Sequence, residues 1–385
     1  MKHSLCLVFF TCSFFYSQAQ YNVVFKLGKY PDKHNNDTAF LAGNFNNWNP
    51  GNSAFRFLLT NENSFELILN LPAGQYAYKC TRGNWSKVEC LANGKDVSDH
   101  SFQLAADTTI EINIEAWRDD FAPVSKMHTA GKQVHIIDTA FFIPQLNRAR
   151  RIWIYLPKGY NETQKRYPVL YMQDGQNIFD EYTSAFGEWG VDECLDSLIA
   201  GGKPAGIVVG IDGPKRLNEY NPYAFRDFGE GEGDRYLDFI VQTLKPFIDK
   251  NFRTLTSKEN TIIAGSSMGG LISYYAMIKQ PQVFGKAGIF SPTFWTAPAI
   301  NQLTDSLAGK LNGKFFFYIG GQEGDAFIKD MEAIQESLGE KSQAMIYSVI
   351  DANGMHNEKA WRKWFAEFYC WIMADGFNYV IKGAQ

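Results

Sequence analysis

Thr261-Ile262-Ile263-Ala264-Gly265-Ser266-Ser267-Met268-Gly269-Gly270 is the stretch whose reading decides the fold. Thr261 to Ala264 is a short, apolar, partly β-branched run of the kind that fills a central strand. Leu271-Ile272-Ser273-Tyr274-Tyr275-Ala276-Met277 continues at helical spacing. Between the two lies Gly-x-Ser-x-Gly, and the chain must reverse there so sharply that Ser267 is held in a strained conformation. Glycines at 265, 269 and 270 remove side chains that would clash where strand and helix cross. A bare Gly-x-Ser-x-Gly arises by chance; the strand before it and the helix after it mark Ser267 as a nucleophile.

A serine hydroxyl needs a base to take its proton, and the base needs an acid to orient it. In the fold built around such a turn the chain order is Ser, acid, His. His356 alone among the histidines follows Ser267, in the loop Asp351-Ala352-Asn353-Gly354-Met355-His356-Asn357 after a strand ending at Ile350. The acid is expected after the preceding strand, Phe315 to Ile319, in Gly320-Gly321-Gln322-Glu323-Gly324-Asp325. Glu323 is favoured; Asp325 stays open as the alternative, although it is well placed to cap a helix starting at about Ala326. Two backbone N–H groups should receive the oxyanion. One is that of Met268, and the other comes from Gln173-Asp174-Gly175-Gln176-Asn177, where Gln176 is assigned.

Around this core the chain reads as α/β, preceded by a smaller all-β part. From Lys132 onward, strands alternate with amphipathic helices, the pattern of a mostly parallel sheet. Residues 20–116 carry short alternating runs such as Tyr21 to Leu27, Ser64 to Leu69 and Thr109 to Ile114, separated by turn chemistry at Pro31-Asp32, Ala73-Gly74 and Gly83-Asn84. That spacing makes a β-sandwich. Residues 117–132 are a polar connector. The first 19 residues have the form of an export leader: Lys2 and His3, an apolar run from Leu5 to Phe15, and Ser17-Gln18-Ala19 before Gln20. A secreted or periplasmic location is therefore expected, and no segment has the roughly 18 apolar residues of a membrane span.

Composition narrows the partners. The net charge is −4, more negative by one once Lys2 leaves with the leader, which gives no footing for nucleic acid or an anionic membrane. No spacing of Cys or His suggests a metal, and no cofactor is expected. Cys80 and Cys90 flank a hairpin; a disulfide and two free thiols are both open. The long loop from Asp212 to Gly233 offers Arg216, Tyr220, Tyr223 and Phe225. With Trp295 they could wall a pocket for an aromatic acyl group or a sugar, or simply pack the loop down.

Two resemblances sharpen this. Leu41-Ala42-Gly43-Asn44-Phe45-Asn46-Asn47-Trp48-Asn49-Pro50, with Leu71 to Lys79, resembles the immunoglobulin-like early-set module of glycogen- and starch-binding proteins. The resemblance implies polysaccharide contact through Trp48 and Trp85, whose rings suit the apolar faces of sugars, unless both are structural. Arg151 to Pro157, Tyr167 to Asn177, Gly265 to Gly270, Phe290-Ser291-Pro292-Thr293-Phe294-Trp295 and Gly354-Met355-His356-Asn357-Glu358 together resemble the esterase-D-type α/β-hydrolases over residues 133–385. That group includes feruloyl and acetyl-xylan esterases, enterobactin-type siderophore esterases, formylglutathione hydrolases and mycolyltransferases. It implies Ser267 as nucleophile, His356 as base and Glu323 as acid. Export argues against a cytosolic thioester substrate. The expectation is a secreted serine esterase acting on feruloyl or acetyl esters of plant-type carbohydrate. The alternatives are a siderophore trilactone esterase, an acyltransferase, and a glycan-binding protein with a vestigial esterase domain.

Overall fold

The computed structural model describes residues 19–374 apart from 47, 62–63, 98, 123–125 and 226–228. The expected leader lies outside the described residues except for its last position. The chain divides into two compact units at Pro123/Val124, inside the expected connector.

The first unit is all β. Its strands are β1 (Gln20–Leu27), β2 (Phe40–Gly43), β3 (Leu58–Leu59), β4 (Phe65–Pro72), β5 (Gly74–Thr81), β6 (Glu89–Cys90), β7 (His100–Leu104), β8 (Thr108–Ile112) and β9 (Ala116–Trp117). One sheet runs β3-β4-β1-β8, a second β2-β5-β7, and β6 pairs with β9. Every second residue of β1 (Val23, Phe25, Leu27) and of β4 (Leu67, Leu69) meets Leu41, Tyr78 and Cys80 of the second sheet in one core. Trp117 is also fully buried there, edge-on to Tyr30 at 5.7 Å. The expected connector therefore starts too early: its first residue is core, which one aromatic among charged neighbours did not reveal. Cys80 and Cys90 are both buried and unbridged.

The second unit holds an eight-stranded sheet in the order β10-β11-β13-β12-β14-β15-β16-β17. Its strands are β10 (Val134–Ile143), β11 (Arg148–Tyr155), β12 (Val169–Gln173), β13 (Ile207–Ile211), β14 (Thr261–Ser266), β15 (Lys286–Phe290), β16 (Lys314–Gly320) and β17 (Met345–Asp351). β10, β11 and β13 pair antiparallel, and from β13 through β17 every pairing is parallel. The helices are α1 (Val191–Ala200), α2 (Arg216–Glu219), α3 (Gly233–Phe239), α4 (Lys245–Asn251), α5 (Met268–Lys279), α6 (Ala299–Leu307), α7 (Asp325–Lys341) and α8 (Glu358–Met373).

Strand residues alternate between two cores, as the period of two requires. Ile263, Ile289, Phe315 and Phe317 point into one with α3 to α7. Ile262, Ala264, Phe290, Phe316 and Tyr318 point into the other with α1 and α8. The stretch from α3 to α4 is two helices joined by a π turn over Ile240–Leu244. Pro246, near the start of α4, lacks an N–H and would crowd the carbonyl four residues back; the widened turn accommodates it. The fully buried β14 sits between β12 and β15, so its C-terminal end opens at the middle of the sheet.

Candidate active site

The sequence-predicted residues of this unit emerge from one edge, the carboxyl ends of the parallel strands, where open α/β sheets bind their ligands. Asp174 to Asn177 follow β12, Arg216 to Tyr223 follow β13, Ser267 follows β14, Trp295 follows β15, Glu323 follows β16 and His356 follows β17.

Ser267 is the single residue between β14 and α5, with φ 58° and ψ −123°. Such a backbone costs a non-glycine residue on the order of 1–3 kcal/mol and persists only when its surroundings hold it. They do: Ser267 N donates to Phe290 O at 2.9 Å, and Ser267 O accepts from Leu271 N at 3.1 Å and Thr293 N at 3.3 Å. Gly265 is required by space, since a Cβ there would lie 2.8 Å from the backbone of Gly269 and from Gln173 Cγ. Met268 opens the helix, so its N–H points out of the first turn and, among the described residues, has no acceptor.

The loop after β12 turns through Asp174, a non-glycine residue at φ 55°. Asp174 N donates to Tyr220 Oη at 3.3 Å and Asn177 N to Asp174 O at 2.8 Å. The Gln176 N–H between them has no acceptor among the described residues, while its side-chain Oε1 accepts from Gly213 N at 3.1 Å. Arg216 ties this loop to the serine turn: its Nη2 reaches Asp174 Oδ2 at 3.0 Å and Ser266 O at 3.3 Å.

Glu323 and His356 meet directly, Oε2 to Nδ1 at 2.7 Å. The Glu323 side chain is 3% exposed, that of His356 37%. Oε1 of Glu323 accepts from Gly320 N at 2.7 Å and from Ser291 Oγ at 2.6 Å. Three partners satisfy a buried carboxylate that would otherwise be costly to bury. Ser291 Oγ in turn accepts from Trp361 Nε1 at 2.8 Å, and the Trp361 ring stands edge-on to His356 at 5.2 Å. The described contacts thus run from His356 through Glu323 to Ser291, which directly follows the Phe290 carbonyl that holds Ser267. A direct Ser267–His356 hydrogen bond is not among them. Asp325 does not cap its helix as expected: the N-cap is Gly324 and Asp325 is the first helical residue.

The loop residues divide. Trp295 is half-buried, edge-to-face with Phe225 at 5.5 Å and 6.1 Å from Phe327. Tyr223 is half-buried and the Arg216 side chain 34% exposed. Tyr220 corrects the expectation of a pocket wall. It is fully buried, and its hydroxyl supports Asp174 from below. A loop tyrosine gives no sequence signal of which way it faces. Ser291 and Glu358 were missed as site residues, although both stand in quoted motifs. Ser291 has φ 43°, a strain no sequence pattern announces. Glu358 is 7% exposed, and its carboxylate lies 3.4 Å from Asn177 Nδ2. Burial pushes it up to about 7.

In the first unit Trp48 and Trp85 come together, ring centroids 6.3 Å apart and tilted by 38°. The buried Asn46 organises the loop before them, accepting from Gly43 N and donating to Leu41 O, each at 2.8 Å. Among the described residues no three His, Cys, Asp or Glu side chains gather to hold a metal, and no helix is long and apolar enough to cross a membrane.

Comparison with known proteins gives a consistent picture. The family model described as "Esterase: Putative esterase" matches residues 143–371. The uncharacterized protein YbbA of Bacillus subtilis (strain 168) is 29% identical over 240 residues, 58% of this chain and 92% of that protein. An endo-1,4-beta-xylanase/feruloyl esterase of Xylanibacter ruminicola is 30% identical over 184 residues, 47% of this chain and 24% of its own length. The solved enterobactin esterase FES of Shigella flexneri, crystallised in the presence of enterobactin, aligns over 92% of both chains with a TM-score of 0.53 and 14% identity, a likeness of fold.

Proposed function

The chain belongs to the Esterase family, and from that premise we propose that it is a serine carboxylic-ester hydrolase of the α/β-hydrolase fold, working through an acyl-enzyme. The observation that carries this reading is the 2.7 Å Glu323–His356 bond beside the strained turn of Ser267.

In this mechanism His356 Nε2 takes the proton of Ser267 Oγ as the oxygen attacks the ester carbonyl. Glu323 accepts from Nδ1–H, fixes the tautomer and stabilises the imidazolium. The oxyanion is received by the Met268 and Gln176 N–H groups, each of which is worth about 3 kcal/mol of transition-state stabilisation in comparable sites. The tetrahedral intermediate collapses, the C–O bond to the alcohol breaks, and His356 returns the proton to the departing alcohol. Water then repeats the sequence on the acyl-enzyme, releasing the acid and restoring Ser267.

The substrate is a feruloyl or acetyl ester carried on plant-type carbohydrate, met outside the cytoplasm by an enzyme exported on its 1–19 leader. Support comes from the half-buried Trp295 and Tyr223 with Phe225 beside the site, and from the relative named a xylanase/feruloyl esterase. Residues 20–116 act as an immunoglobulin-like, early-set module that contacts polysaccharide through Trp48 and Trp85, whose paired rings include one 38% exposed. A second reading, a siderophore trilactone esterase, is favoured by the fold match to FES over both units.

An ester panel decides between them: methyl ferulate, acetylated xylan, feruloylated arabinoxylan oligosaccharides and a trilactone siderophore, each with wild type and Ser267→Ala. Turnover of the first three that disappears with Ser267→Ala is the expected result. Turnover of the trilactone alone selects the second reading. Alcohol acceptors in the product analysis would reveal acyl transfer, and glycan binding on affinity gels without turnover would leave only the binding module.

A further inference from the structure

Glu358 stands at the first position of α8, two residues beyond His356. Its carboxylate is buried against the loop after β12. Oε1 lies 3.4 Å from Asn177 Nδ2, and the backbone at Gly187 runs against its Cβ, where an added methyl would sit 3.8 Å away. Asn177 is the hub of this corner. Its N–H closes the Asp174 turn at 2.8 Å, its carbonyl accepts from Trp189 N at 2.8 Å, and its Oδ1 accepts from Ala185 N at 3.3 Å. Gln176, whose N–H is the proposed oxyanion donor, is the residue before it, and Gln176 O accepts from Thr183 Oγ1 at 2.7 Å.

We propose that Glu358 is a positioning residue: by holding the Asn177 carboxamide it sets the Gln176 N–H against the His356 loop, so that two loops from non-adjacent strands, β12 and β17, present donor and base in one register. The inference rests on the assignment of Ser267 and Gln176 made above. A direct contact from α8 to the loop after β12 is what gives the register, because β14, β15 and β16 separate the two strands in the sheet. Burial keeps much of Glu358 protonated near neutrality, against the pull of its own backbone N–H, His356 and Arg216 and with Asp174 adding to the effect. A neutral carboxylic acid still accepts from Asn177 through its carbonyl oxygen and leaves the imidazolium without a competing counter-charge.

The test is a set of variants of the full chain, Glu358→Ala, Glu358→Gln, Asn177→Ala and Glu358→Ala/Asn177→Ala, read on p-nitrophenyl acetate. Removing an oxyanion donor outright costs about 100- to 1,000-fold in kcat, so its misplacement should cost about tenfold or more with KM within about twofold. Affinity for a trifluoromethyl ketone, which fills the oxyanion site, should fall in parallel while affinity for the acid product stays. Glu358→Gln should restore kcat to within about threefold, because its amide oxygen accepts the same bond, and the double variant should be no worse than the weaker single one. Unchanged kcat in Glu358→Ala, a Gln variant as damaged as Ala, or additive losses would each overturn the proposal. If Glu358→Ala does not fold, Asn177→Ala must show the same kcat loss, and an unchanged value there overturns it equally. Ser267→Ala, run alongside, separates the two levels. Retained turnover there defeats the nucleophile assignment. Lost turnover with a normal Glu358→Ala defeats only this inference.

Discussion

Glu323 Oε2 lies 2.7 Å from His356 Nδ1, while the other oxygen of the same carboxylate is held by Gly320 N and Ser291 Oγ. Both carboxylate oxygens are therefore committed, and the histidine ring is oriented by an acid that cannot itself swing away.

That arrangement separates the two acids of the 320–325 loop. Glu323→Gln should lower kcat on p-nitrophenyl acetate by about 10,000-fold, the scale on which an amide in this role stabilises the wrong tautomer. Asp325→Asn, at the first position of α7, should leave kcat within about threefold, a change of under about 1 kcal/mol. Steady-state kinetics of the two variants decide it. A crippled Asp325→Asn beside an active Glu323→Gln would reverse the assignment.

Ser291 links Trp361 to Glu323, and its removal leaves a buried indole N–H without its acceptor. Ser291→Ala should cost about 1–3 kcal/mol in urea unfolding, the price of an unsatisfied buried donor. It should also lower kcat about tenfold, since one of three bonds that fix the acid is gone. A variant of wild-type stability and rate would show that Glu323 needs only Gly320 N and His356.

Gly265 has no room for a side chain: a Cβ would come within 2.8 Å of the Gly269 backbone. Overpacking of this sort costs about 1–3 kcal/mol, and more where backbone must shift. Gly265→Ala should therefore unfold at lower urea and lose activity together, because the shift moves Ser267. An active, fully stable Gly265→Ala would mean that the strand and helix can part without disturbing the turn.

Glu358 gives a pH signature of its own. Its carboxyl is raised from 4.5 to about 7, chiefly by burial, so the folded protein keeps a proton that the unfolded chain has released. The associated stability is complete below pH 4.5 and lost as pH rises through 7, on the order of 3 kcal/mol in all. Glu358→Gln cannot ionise. Its unfolding midpoint should gain on that of wild type between pH 5 and pH 8, with the difference levelling off above about 8. Thermal melts across that range check this, and parallel curves would refute it.

Much of the catalytic unit was legible in the chain. The buried β14 announces itself by composition, and the turn by its glycines, of which Gly265 and Gly270 have backbone too close for a Cβ. That Ser267 and His356 come to one edge follows from their order along a parallel sheet, since every strand of such a sheet delivers its following loop to the same edge. What stayed hidden is what depends on the direction of a side chain. Tyr220 and Tyr223 share one loop, yet Tyr220 is wholly buried beneath Asp174 and Tyr223 is half-exposed. Trp117 reads as connector and is core.

The sequence by itself determined the alternation that builds the sheet, the Ser267 turn and the succession of serine, acid and histidine, because these rest on local period and on steric limits at single residues. Only the tertiary structure chose Glu323 over Asp325 for the contact with His356, brought Ser291 and Trp361 behind it, left Cys80 and Cys90 apart, and set Glu358 against Asn177. Each of those joins residues from different loops, and the distances that decide them, a few tenths of an ångström in a hydrogen bond, arise only when the packed sheet brings the loops to one edge.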